Sequence, residues 1–127
     1  MSALPSQSTS AVWPWPDSLD ALIAAADYHF LVLENERVRV LEVVIPPGAF
    51  VPVHTHRWPS VIHIVSASHF VRHDEHGEVL LDTRSVASTS AQPGAIWSPA
   101  LPPHSVENVG GLEIRLFTVE VKDPSVS

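Results

Sequence analysis

His54 and His56 stand two apart in the run Gly48-Ala49-Phe50-Val51-Pro52-Val53-His54-Thr55-His56. In an extended strand, residues two apart lie on one face about 6.5 Å from each other, close enough for two imidazoles to converge on one metal ion. That is half of a site. A second stretch, Pro99-Ala100-Leu101-Pro102-Pro103-His104-Ser105, puts a third histidine at the start of another apolar segment. Three neutral imidazoles with open positions suit a divalent metal such as Fe, Mn, Ni or Zn that must still bind water or substrate. The competing reading is a set of core histidines hydrogen-bonded to backbone with no metal at all.

The elements that must position these residues read as β. Short Val- and Ile-rich runs predict strands near 29–33, 37–45, 50–56, 60–66, 68–73, 78–82, 95–98, 103–109 and 112–122. Turn signals at Glu34-Asn35-Glu36, Pro46-Pro47-Gly48, Asp74 to Gly77, Pro93-Gly94 and Gly110-Gly111 separate them. Many short strands at regular spacing favour a sandwich or closed barrel. Before them, residues 1–16 form an irregular arm ending in Trp13-Pro14-Trp15-Pro16, whose indoles predict docking on the domain or on a partner subunit. Asp17-Ser18 followed by Leu19, Leu22, Ile23 and Ala26 has the cap and spacing of one short helix. At 127 residues the chain suits a single domain. The expected division is an arm and helix over 1–28, a barrel over 29–123 and a tail over 124–127, with 83–92 as the longest polar loop.

Parity then assigns faces. If His54 and His56 point inward and Ser60 does too, Ile62 and Ile64 line the interior while Val61, His63 and Val65 face out. A strand that is apolar on both faces is covered on both, which predicts a homodimer. Arg39 shares parity with Leu41, Val43 and Ile45, so on an inward face it would fork onto a ligand carboxylate; a solvated strand face is the alternative. Trp97 and Trp58 are candidates for a pocket wall, and Asn108 for a residue that orients a ligand or ties a turn. His63, His69, His73 and His76 read as outer-sheet or solvated residues.

The two histidine stretches together resemble the cupin family. Gly48, His54 and His56 match its first motif, Gly, five residues, His-x-His, three or four residues, Glu, six residues, Gly; Ser60 stands where Glu is expected and Ala67 where the final Gly is. Of the second motif, Gly, five residues, Pro-x-Gly, two residues, His, three residues, Asn, the chain keeps Pro99, His104 and Asn108; Gly94 lies one residue too close to Pro99 and Leu101 replaces the inner Gly. The resemblance covers about 29–122 and implies an all-β, single-domain cupin-type β-barrel or jelly roll preceded by the short arm and helix. It also implies His54, His56 and His104 as metal ligands, with Ser60 in place of the usual carboxylate. Cupins include three-histidine dioxygenases as well as members without metal.

Composition bounds the partners. Seven Lys and Arg against 14 Asp and Glu give a formal charge of −7, which argues against nucleic acid and anionic membranes. With no cysteine, a disulfide framework and thiolate ligation are excluded. The N-terminus lacks a basic region followed by an apolar run, so the expected location is the cytoplasm. The expected function is a metal-dependent enzyme, dioxygenase-like or other, acting on a small and carboxylate-bearing molecule. Two alternatives stand beside it: a cupin that binds metal or ligand without turnover, and a structural cupin.

Overall fold

Alternating apolar residues and tight turns give nine strands among the described residues, which are 13–85 and 94–122 of a computed structural model. They are β1 (His29–Glu34), β2 (Val38–Ile45), β3 (Phe50–His56), β4 (Ser60–Ser66), β5 (Phe70–Asp74), β6 (Val79–Asp82), β7 (Gly94–Ser98), β8 (Leu101–Asn108) and β9 (Ile114–Val121). Side chains close the hairpins. Asn35 Oδ1 accepts from the amides of Arg37 and Val38 at 2.7 and 2.9 Å between β1 and β2, and Asp74 Oδ1 accepts from those of His76 and Glu78 between β5 and β6. Gly48, at φ +80°, turns the chain after Pro46-Pro47 and donates its amide to Asn108 O at 3.0 Å, which sets the start of β3 beside the end of β8.

The strands form two antiparallel sheets, β1-β2-β9-β4-β7 and β3-β8-β5-β6. This is the expected all-β jelly roll. The inward row of β2 is Arg39, Leu41, Val43 and Ile45, paired across to Glu120, Thr118, Leu116 and Ile114 of β9. One end of the space between the sheets is therefore apolar: Ala25, Val43, Ile45, Val51 and Ile114 form the buried core there, with Phe70, Val106 and Leu116 packed on it. The other end holds Arg39, Ser60, Thr118 and Glu120, all buried. A polar group enters an interior only with partners or with a ligand to meet, so that end is where chemistry is to be sought.

The N-terminal segment differs from its prediction. A 3-10 turn at Asp17–Leu19 precedes a single helical turn, α1 (Ala21–Ala24), capped by Asp20, whose side chain accepts from the Leu22 amide at 3.0 Å. Only small Ala21 and Ala25 are buried, while Ile23 is exposed, so no apolar face exists to hold a longer helix on the barrel. The chain turns at Ala25 and leads directly into β1. Residues 1–12, most of the arm, and 86–93, most of the polar loop, lie outside the described residues, as does the tail after Lys122. Trp13 and Trp15 meet edge to face at 4.9 Å and are half-buried. Among the described residues no helix is long and apolar enough to cross a membrane.

Candidate metal centre

Prolines shape the two strands that carry the motif histidines. Pro52 and Pro102 each stand two residues before a histidine, and the β3–β8 register shifts between Val51 and His54 and again between His54 and His56. A proline offers no amide to the ladder, so pairing breaks locally and the strand bulges. The bulge turns His54 inward although Val51, three residues earlier, also faces the core. Each freed carbonyl is then used in the same way. His54 Nδ1 donates to Pro52 O at 2.7 Å and His104 Nδ1 donates to Pro102 O at 2.8 Å. His54 and His104 are direct cross-strand partners with ring centroids 4.3 Å apart.

A histidine outside the motifs joins them. His29, buried at the start of β1, donates from Nδ1 to Ala25 O at 3.0 Å. Its ring centroid lies 4.8 Å from that of His54 and 5.2 Å from that of His56. The ligating atoms of His29, His54 and His56 all lie within 4.8 Å of one another. The set that the structure draws together most tightly thus contains His29, with His104 beside His54 and 5.8 Å, ring to ring, from His56.

The fourth ring is oriented by a carboxylate. His56 Nδ1 donates to Glu120 Oε2 at 2.7 Å, and Glu120 Oε1 accepts from Arg39 Nε at 2.6 Å. Arg39 completes the chain by forking onto Asp20 with both terminal nitrogens, at 2.9 Å each. Glu120 has no solvent exposure. Burial works against the Arg39 charge, yet its bonds to Asp20 and Glu120 more than offset that and raise its pKa. The fork expected for a ligand carboxylate is therefore closed on the chain's own Asp20, and Arg39 acts through Glu120.

These bonds fix tautomers. A carbonyl or carboxylate oxygen can only accept, so each Nδ1 carries the proton, and each neutral ring keeps its lone pair on Nε2. Neutral rings are what the interior favours. Burial, followed by the neighbouring His56, lowers the His29 pKa to about 4; burial lowers that of His104 to about 3. For His54, burial and then the His104, His56 and His29 rings push it lower still. A cluster of imidazoles with Nδ1 tied back and Nε2 free has the donor chemistry of a transition-metal site. The residues fit such an ion.

The cluster opens on a cavity of about 100 Å³, lined also by Ser60, Ile62, Phe70, Arg72, Leu101, Val106, Leu116 and Thr118. Ser60, at the position of the motif glutamate, is buried on its wall. A second chamber of about 360 Å³ shares Ile62, Phe70, Arg72, Leu101, Ile114 and Leu116 with the first and extends past Ile96, Trp97 and Pro99. Trp97 stands on this second chamber, 61% exposed, and not beside the histidines. Asn108 touches neither space: wholly buried, it donates to Ile45 O and Leu112 O and accepts from the Gly110 amide. It ties the β8–β9 turn. His63 is exposed on the outer face, and His69 bonds Thr83.

No protein-family model and no curated protein matches the chain. Solved structures do. The chain is similar to a cupin domain from Bordetella pertussis Tohama I at 21% identity, over 75% of this chain and 92% of that one, with a TM-score of 0.57. It is also similar to an RmlC-like cupin family protein from Methanocaldococcus jannaschii, at 15% identity over 76% and 81% of the two chains, TM-score 0.53. A third is an uncharacterised conserved protein with a double-stranded β-helix domain from Klebsiella pneumoniae, at 18% identity over 72% of each chain, TM-score 0.50. At such identities the likeness is one of fold.

Proposed function

From a chain with the cupin double-stranded β-helix fold, we propose a metal-dependent enzyme that acts on a small molecule, with dioxygenase-like or related chemistry. His29, His54 and His56 would hold a divalent ion, Fe, Mn, Ni or Zn, and His104 would complete the set. The observation that carries this reading is the shared state of the four rings: every Nδ1 is bonded to an acceptor, which leaves every Nε2 free to ligate. Core histidines without a metal have no reason to gather four free Nε2 lone pairs around one cavity.

A bound divalent ion supplies Lewis acidity and, for a redox-active metal, access to oxygen chemistry. The protein's own part is positional. Glu120 holds the His56 proton on Nδ1, Arg39 holds Glu120 in place through Nε, and Ile62, Leu101 and Leu116 give the cavity apolar walls. Among the described residues no carboxylate lines the histidine cavity, so no side chain there serves as a carboxylate base. That same feature favours a second reading, a module that holds metal or ligand without turnover.

The test begins with elemental analysis of untagged protein. About one ion per chain is expected, with loss in the His54→Ala, His56→Ala double variant and weaker retention in His29→Ala. Wild-type stoichiometry in the double variant refutes the site. A loaded protein that neither consumes oxygen nor converts any member of a small-acid panel supports the second reading.

A further inference from the structure

Arg72 lines the cavity with a charge that no ion pair among the described residues answers. It lies on β5 between Phe70 and the cross-strand neighbours Val106 and Leu81, and it lines both the histidine cavity and the second chamber. Its Nε is buried without a hydrogen-bond partner, and none of the ion pairs among the described residues includes it. Burial opposes its charge and lowers its pKa from the usual guanidinium value. Its guanidinium makes a loose approach to the Phe70 ring, at 5.8 Å. Arg39 offers the contrast, since its guanidinium is closed by Asp20 and Glu120.

A second orphan faces the same space. Thr118 is 5% exposed, lines the histidine cavity, and its Oγ1 is buried with no partner. Buried donors left unmet by the chain cost free energy, so two of them on one cavity point to a ligand that meets them. The remaining walls, Ile62, Phe70, Leu101, Ile114 and Leu116, are apolar and common to both chambers. A volume of about 360 Å³ beyond them is that of a small-molecule pocket.

We propose that Arg72 anchors the carboxylate of a small, otherwise apolar monoanion, with Thr118 as a second polar contact and the hydrocarbon body filling the chamber toward Ile96 and Trp97. This deepens the metal-enzyme reading, since it names the substrate class of the same cavity. It replaces Arg39, the residue that strand parity singled out, with one whose donors are available. A carboxylate fits better than a neutral polar group because only an anion offsets the unpaired guanidinium, and a planar one matches its fork.

The experiment is calorimetric titration of benzoate and hexanoate, each against its neutral counterpart benzamide or hexan-1-ol, into the full chain stripped of metal by a chelator. Wild-type protein is expected to bind the acids at least tenfold more tightly than the neutral pair. Arg72→Met and Arg72→Gln should abolish that preference while keeping wild-type metal stoichiometry, and Arg72→Met should melt no lower than wild type when ligand-free, because it removes an uncompensated buried charge. Equal binding of acid and neutral analogue overturns the proposal, as does binding of neither, or acid binding that survives in both variants. Acid binding that appears only after metal is restored and survives Arg72→Gln places the carboxylate on the metal and also overturns it. Since the titration uses metal-free protein, a failed metal site and a failed anion anchor give different results.

Discussion

Glu120→Gln changes one atom type in the buried chain that runs Asp20, Arg39, Glu120, His56, and its consequence is sharp. The carboxylate accepts two donors at once, Arg39 Nε at 2.6 Å and His56 Nδ1 at 2.7 Å. An amide of the same shape has one acceptor. If its oxygen stays with Arg39, its NH2 group faces His56, and that ring must move its proton to Nε2 to accept from it. A ring protonated on Nε2 cannot ligate through that atom. Loss of such an orienting partner typically costs 10–100-fold in metal affinity. Stability should also fall, because Arg39 then has only Asp20 as a charge partner; one-sided removal of a buried charge costs up to about 3–5 kcal/mol. Metal affinity by chelator competition, thermal melting, and nitrogen NMR of the His56 tautomer are the assays. Affinity within twofold of wild type, with His56 still protonated on Nδ1, would refute the reasoning.

Three further outcomes follow from the same geometry. The metal-free protein should lose stability as pH falls below 6.5, because His29, His54 and His104 have folded pKa values below the unfolded one, so the unfolded chain binds more protons there; each such histidine costs about 1.4 kcal/mol per pH unit down to its folded pKa, about 4 for His29 and about 3 for His104. Urea midpoints that do not change between pH 7.5 and 5 would contradict this. Asn108→Ala, which strands the Ile45 and Leu112 carbonyls and the Gly110 amide, should cost about 2–4 kcal/mol in denaturant melts and leave the metal content of the folded protein unchanged. The outward residues Leu33, Val40, Val119 and Val61 form one apolar row across four neighbouring strands of the larger sheet, which predicts a homodimer through that face; light scattering should give a dimer mass for wild type and a monomer for Val61→Glu.

Much of this fold was legible because strand, turn and parity signals agreed. The predicted strand over 50–56 coincides with Phe50–His56, and the inward row Arg39, Leu41, Val43, Ile45 follows from alternation alone. What alternation could not supply was a register shift. The β1–β2 pairing runs regularly from the Asn35 turn through Glu34–Arg39 and Leu33–Val40, then slips by one before Leu31–Leu41. Without that bulge His29 would pair with Val44 and face outward; with it, His29 pairs with Val43 and joins the cluster. No residue type in Phe30-Leu31-Val32-Leu33 announces a bulge. Glu120 was hidden differently, since an acidic residue near the end of a strand reads as a solvated edge until the pairing sets it between Arg39 and Ser60.

The boundary expected between residues 28 and 29 therefore runs through the site. Ala25 O holds the His29 proton on Nδ1, and Asp20, the cap of α1, holds Arg39 and through it Glu120 and His56. Asp20 also bridges Thr55, between the two motif histidines. Two of the three clustered rings thus take their orientation from the short N-terminal segment. The missing motif glutamate becomes intelligible in these terms. With Ser60 the site loses a carboxylate ligand, while Glu120, directly across from Ser60 in the sheet, spends its charge on Arg39 and His56. The added imidazole of His29 supplies a neutral donor in exchange. A set of neutral rings leaves a bound divalent ion with its full charge, which favours capture of an anionic ligand in the cavity that Arg72 also lines.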